Sequence, residues 1–373
     1  MTKPFREYHL LLILEEFEKQ HLPLDRFISN YFRANKACGS KDRRYIVDTA
    51  YNMMRWRGLL DGIGKSSWTE RLDTYKKNDI EKCQHDTSLP EHVRCSFPKD
   101  LFDMIADTYG KEQAAEICLA SNSAAPTTVR VNTIKISRDD LFKKLQKHYE
   151  VSRCKHSTTG ITFNKRINFL GMEEFKEGLF EVQDEGSQLV SALVKINDSE
   201  QILDYCAGAG GKALAIAATM NNKGQIFLHD VRDKALAQAK KRLKRAGVNN
   251  CQIVKNDSPQ LKKLKKNLDW VVVDAPCSGS GTWRRNAEMK WKTSATDIEN
   301  LVGQQRHIFE KALSFMAPKG YIVYITCSIF PKENELQIKH FSETYNLELV
   351  DTFKSQPTQN GMDGFFGATL RRK

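Results

Sequence analysis

The chain has 373 residues, more than one average core accommodates, and its 40% hydrophobic and 28% charged residues are the balance of a globular protein. No apolar run approaches the roughly 20 residues of a membrane helix, and the leading MTKPFREYHLLLILEEFEK carries acids where a signal peptide needs its cleavage site, so a cytoplasmic protein, in all expectation a monomer, is implied. The formal charge of +12 favours a polyanionic partner such as a nucleic acid, and nine cysteines with no CxxC spacing argue against a disulfide framework or a bound metal.

Residues 1–124 read as helical. LLLILEEF, LDRFISNYF, YIVDTAYNMMRW and LFDMIADTY repeat apolar positions three and four apart, the stripe of an amphipathic helix. ACGSKDRR supplies a turn and a basic step between the second and third of these. The polar stretch TYKKNDIEKCQHDTSLPEH reads as a linker, which divides the region into a helical domain over 1–65 and a linker with further helices over 66–124. From Ala125 the texture changes to an alternating strand TTVRVNTIKI, the helical RDDLFKKLQKHY and the strand ITFNKRINFL, a small α+β module over 125–182.

Beyond FEVQDEGSQLVSALV the pattern becomes regular over 183–373. QILDYCAG, GQIFLHDV, CQIVKND, DWVVVDAP and GYIVYITCS are short apolar runs separated by helical stretches, which predicts a Rossmann-like doubly wound parallel sheet. Ligands of such sheets bind at the carboxyl ends of the strands, and the unusual residues stand there. In CAGAGGK (Cys206, Ala207, Gly208, Ala209, Gly210, Gly211, Lys212) the glycines let backbone approach a ligand closely, and Lys212 opens the next helix. Asp230 ends the following strand, where a carboxylate can accept both hydroxyls of a ribose. This spacing suits an adenosine-containing cofactor but does not separate a dinucleotide from S-adenosylmethionine, and a plain tight turn is the bland alternative. Asp257 in KNDSP is placed to meet an adenine amino group, although Asn-Asp-Ser-Pro is also ordinary turn chemistry.

Two cysteines, Cys277 after DWVVVDAP and Cys327 in GYIVYITCS, fall at strand ends of one sheet, beside Asp274. Cytosine C5 is too weak a nucleophile to attack a methyl sulfonium. A thiolate adding to C6 makes C5 electron-rich, and a second thiol can then assist removal of the C5 proton and expulsion of the first. One cysteine attacks and the other releases.

DAPCSGSGTWRRNAEMKW, ITCSIFPKENE, CAGAGGK, FKEGLFEVQDEGSQL and the terminal MDGFFGATLRRK resemble the RNA cytosine-5 methyltransferases, bacterial Fmu/Sun-type ribosomal RNA enzymes above all, from about residue 125 to the end. HLPLD, GSKDRR and YNMMRW are similar to the NusB-like RNA-binding domain that precedes some members. The resemblance implies S-adenosylmethionine as cofactor and RNA as partner, ribosomal first and transfer RNA second. It implies that Cys327 attacks and Cys277 releases, and that Cys206 to Lys212, Asp230, Asp257 and Asp274 contact the cofactor. Asp274 would also face the target base, and Lys290 would touch phosphate or base unless it is simply solvated. AGAGG and RRNAEMKW depart from the common Ala-Ala-Pro-Gly-Gly and Pro-Asp patterns, which bears on subfamily. DNA cytosine-5 methyltransferases, which attack through a Pro-Cys thiol, and a non-catalytic RNA-binding factor are the rival readings.

Overall fold

A computed structural model describes residues 3–20, 22–165, 167–197, 199–256 and 258–373. The chain divides into two compact units, one of residues 1–124 with 282–295 and one of 125–281 with 296–373.

The first unit is helical. Helices Phe5–Phe17, Leu24–Ala34 and Ser40–Arg55 bury Leu10, Leu14, Phe17, Ile28, Ile46 and Met53 in one core. The polar stretch expected to be a linker is largely helical instead. Ser67 caps helix Trp68–Lys77 by accepting from the Glu70 amide, Asp79 caps Ile80–Gln84, and buried Trp68 and Leu72 anchor the pair to the core. A few apolar anchors, most of them in the longer helix, suffice once the caps satisfy the first amides, so composition alone disguised these segments. Residues 282–295 leave the sheet sequence and pack here: Trp283 lies against Phe97, and the Lys290 ammonium donates to Arg55 O at 2.9 Å, Ser96 O at 2.7 Å and Asn122 Oδ1. Lys290 is 1% exposed, so it is neither a phosphate contact nor a solvated lysine. Burial drives its ammonium well below the usual lysine range.

The second unit carries two sheets. Strands β1 (Thr127–Val131), β2 (Val151–Arg153), β3 (Gly160–Phe163) and β4 (Phe180–Val182) form an antiparallel sheet in the order β2-β3-β1-β4. β1 stops earlier than TTVRVNTIKI suggests because Asn132 turns the chain: its Oδ1 accepts from the Ile134 amide, and its Nδ2 donates to Gly178 O and Ala246 O. The stretch QDEGSQ then fastens this sheet to the next element. Glu185 accepts the His156 and Ser157 amides at 2.6 and 2.8 Å, and Gln188 donates to Val129 O.

The larger sheet comprises β5 (Gln201–Asp204), β6 (Gln225–Leu228), β7 (Cys251–Ile253), β8 (Leu268–Asp274), β9 (Met316–Thr326), β10 (Leu347–Lys354) and β11 (Phe366–Arg372) in the order β10-β11-β9-β8-β5-β6-β7. The first five are mutually parallel, as the alternation of apolar runs and helices requires, and their buried runs pack cores on both faces. β10 and β11 add an antiparallel edge that the doubly wound reading did not include. The reversal at β5, with β6 on one side and β8 on the other, opens the crevice in which such sheets bind ligands.

Candidate active site

The glycine-rich turn lies at the carboxyl end of β5. Gly208 and Gly210 take φ of +52° and +75°, which side chains resist, and Gly210 hands the chain to helix Gly211–Thr219. A Cβ at Gly210 would lie 3.1 Å from Ala239, whereas one at Gly211 would meet nothing nearer than 4.0 Å, so the turn is tight beneath and open above. The Ala207 amide donates to His229 O and the Ala209 carbonyl accepts from Arg242, which fixes the cradle to its neighbours. Burial first, then the charges of Asp204, Asp274 and Asp230, push the Cys206 thiol far above the ordinary range.

Asp230 follows β6 and accepts from the Gly208 amide at 2.8 Å and the Arg232 amide at 2.8 Å. Burial opposes its charge, but these bonds and the Arg232 guanidinium outweigh it and hold the carboxyl below its usual range. The guanidinium also bonds both Asp230 oxygens, at 2.9 and 3.0 Å, from a side chain 69% exposed, so ribose hydroxyls would displace a mobile partner. Beside it Val231 is 78% exposed, an apolar surface available to cover a base. An open glycine cradle, a carboxylate with an exchangeable partner and an uncovered valine fit the adenosine portion of S-adenosylmethionine. Asp257, read as an adenine contact, lies outside the described residues.

Lys212 donates to Asp274 Oδ2 at 2.5 Å from a side chain only 10% exposed. Burial works against its charge, yet Asp274 and the nearby Cys327 and Asp204 hold its ammonium above the usual range. Sequence reasoning passed over Asp204, which ends β5 under the turn. It is 1% exposed and neither oxygen makes a full hydrogen bond; burial, then Asp274, push its carboxyl up to about 7.

The two sequence-selected thiols meet. Cys277 and Cys327 lie in the loops that follow the adjacent parallel strands β8 and β9, and their sulfurs stand 3.4 Å apart, both half-buried. The two loops are tied by backbone, with the Gly281 amide donating to Cys327 O at 2.9 Å and the Gly364 amide to Gly281 O at 2.8 Å. A Cβ on Gly281 would stand 2.1 Å from Gly364 O, so the close approach requires glycine. Cys277 is raised well above the usual thiol range by its bond to Cys327, by burial and by the charges of Cys327 and Glu333. The ENE stretch supports the Cys327 loop: the Thr326 hydroxyl donates to Asn334 Oδ1, and Asn334 Nδ2 donates to Ser328 O.

The family description "16S rRNA methyltransferase RsmB/F" matches residues 191–371, and an RsmF/B-like ferredoxin-like domain matches 97–169. The ribosomal RNA small subunit methyltransferase B of Vibrio cholerae is 30% identical over 334 residues, 86% of this chain and 73% of that protein. The 26S rRNA (cytosine-C(5))-methyltransferase nsun-1 of Caenorhabditis elegans is 29% identical over 258 residues, 67% of this chain and 38% of that protein. The crystal structure of a methyltransferase homolog from Pyrococcus horikoshii superimposes with a TM-score of 0.67 at 28% identity, covering 76% of this chain and 97% of that one. With these similarities running through the paired thiols and the glycine cradle, the chain belongs to the RsmB/F family of S-adenosylmethionine-dependent RNA cytosine-5 methyltransferases.

Proposed function

We propose that this enzyme methylates C5 of a cytidine in ribosomal RNA through a covalent bond between Cys327 and C6 of the base. The observation that carries the reading is the pair of sulfurs 3.4 Å apart at neighbouring strand ends, with the Lys212–Asp274 ion pair in the same site. The Cys327 thiolate adds to C6, and the electron pair of the C5–C6 double bond moves so that C5 becomes nucleophilic. Asp274 and Lys212 are the groups available to bond the exocyclic amine and the ring N3 as negative charge develops. S-adenosylmethionine, held by Cys206 to Lys212, Asp230 and Asp274, supplies an electrophilic methyl group when bound. After transfer a solvent base takes the C5 proton, the C5–H electron pair re-forms the C5–C6 double bond, and the Cys327–C6 bond breaks with its pair returning to the Cys327 sulfur, a release in which Cys277 is the second thiol at hand. The names of the relatives favour ribosomal RNA, and the +12 charge suits any phosphate-rich chain. The target base leaves its stack to reach the sulfurs, at a cost of roughly a few kcal/mol that is smallest in loops and single strands.

Denaturing gels of protein mixed with small-subunit ribosomal RNA and cofactor test the assignment. Cys277→Ala is expected to accumulate a protein–RNA adduct and Cys327→Ala to form none. The reverse pattern would make Cys277 the nucleophile and refute it. Adducts with transfer RNA alone would keep the chemistry and replace the substrate.

A further inference from the structure

Helix Asp233–Ala246 carries the basic run KKRLKR, in which Lys240, Lys241 and Lys244 are exposed while Arg242 and Arg245 are turned partly inward. Both arginines reach one carboxylate, that of Glu181 in β4, which is 3% exposed. Arg242 grips Glu181 Oε2 with Nε and Nη2, each at 3.1 Å, and Arg245 Nη2 donates to Oε1 at 2.5 Å. Three residues apart on a helix, the two side chains share a face, so a single acid can take both. The helix is clamped to the small sheet beside them. Asn132 Nδ2 donates to Ala246 O at 2.7 Å and Lys135 Nζ to Arg245 O at 2.8 Å, and a Cβ on Gly178 would stand 2.1 Å from Arg245 O.

The two arginines differ in what else they touch. Arg245 lies over the Phe175 ring, 3.9 Å from its centroid. Arg242 Nη1 donates to Ala209 O at 2.9 Å, inside the glycine turn. A guanidinium is planar and rigid, so holding Nε and Nη2 on Glu181 fixes the direction in which Nη1 points. The Ala209 carbonyl in turn shares its peptide plane with the amide of Gly210, the residue held at a φ of +75°. The turn is thus tied twice, from the large sheet by Asp230 at the Gly208 amide and from the small sheet by Glu181 through Arg242. We infer that Glu181 is a positioning residue of the cofactor site: by orienting Arg242 it sets the peptide plane at Ala209, so that the small antiparallel sheet helps to shape the cradle. The inference rests on the reading of Cys206 to Lys212 as the part of the chain that holds S-adenosylmethionine.

Calorimetric affinity of the full-length protein for S-adenosylmethionine, without RNA, is measured beside urea unfolding. Arg242→Met and Arg245→Met each leave Glu181 one arginine and should each lower the unfolding midpoint, but only the first frees Ala209. Arg242→Met is therefore expected to weaken cofactor binding about tenfold and Arg245→Met by no more than about twofold. Glu181→Gln should also weaken it about tenfold, and the double variant Glu181→Gln/Arg242→Met should bind within about twofold of Arg242→Met, because the two side chains act in series. Wild-type affinity in Arg242→Met, equal losses in the two arginine variants, or losses that multiply in the double variant overturn the inference. Glu181→Asp keeps the charge but withdraws it by one methylene, and it takes the place of the glutamine variant if that does not fold. It should lose about threefold or more in affinity, and wild-type affinity again overturns the inference. Asp230→Ala, run alongside, separates two failures. If it weakens binding and Arg242→Met does not, the cradle stands and the role of Glu181 falls; if neither weakens binding, the reading of the cradle falls with it.

Discussion

Replacing Asp204 by Asn should change how stability depends on pH. The carboxyl is fully enclosed at the end of β5, lacks a full hydrogen bond, and is pushed up to about 7 by burial and by Asp274. In the unfolded chain it titrates near 3.9. Between those values the folded protein holds a proton that the unfolded chain has released, so stability falls as pH rises. The contribution is complete below about pH 4 and lost above about pH 7, at ~1.4 kcal/mol per pH unit, about 4 kcal/mol in all. Asparagine does not titrate there, so the stability of Asp204→Asn relative to wild type should rise by roughly 2 kcal/mol between pH 5 and pH 7. The slope is the diagnostic quantity, because any constant cost of burying the amide cancels in the difference. Urea unfolding of both proteins at pH 5, 6, 7 and 8 measures it. Parallel curves, within about 1 kcal/mol across that range, would refute the idea that the enzyme folds around a buried acid under its glycine turn.

Two further outcomes follow from the same structure. Asp230→Ala removes the acceptor that fixes the Gly208 amide and faces the ribose position, so calorimetric affinity for S-adenosylmethionine should fall by about 1.5 to 3 kcal/mol; equal affinity for NAD and for S-adenosylmethionine would contradict the cofactor assignment. Lys290→Met strands three oxygens that its ammonium satisfies and should cost about 2 to 4 kcal/mol of stability, read by denaturant unfolding; unchanged stability with weakened RNA binding would restore the phosphate-contact reading.

The catalytic sheet was legible because burial on both faces leaves short, continuous apolar runs that recur between helical stretches. VVVD, IFLHD and YIVYIT are short, continuous and bounded by turn residues, and they became β8, β6 and the end of β9. Their alternation with helices gave parallel pairing without knowledge of any contact. The antiparallel edge was hidden because LELVDTFK is exposed at alternate positions and carries charge, as an edge strand does. The helical unit was blurred for a related reason. Segments such as TERLDTYKK bury few side chains and owe their start to a cap, a signal carried by one serine rather than by a period.

The same contrast governs the site. Cys277, Cys327, Asp274, Asp230 and Lys212 could be selected because a reactive or charged residue directly after a buried strand is out of place unless chemistry or a ligand requires it. Asp204, Glu333 and Lys290 could not, because each is an ionisable residue that is enclosed, and only three-dimensional packing distinguishes an enclosed ionisable group from a solvated one. For Lys290 that packing turned an expected contact into an internal tie. For Glu333 it turned an unassigned acid into a tie between the two cysteine loops. A residue five positions beyond Ser328 folds back to accept from the serine beside each cysteine, an arrangement that no linear motif displays.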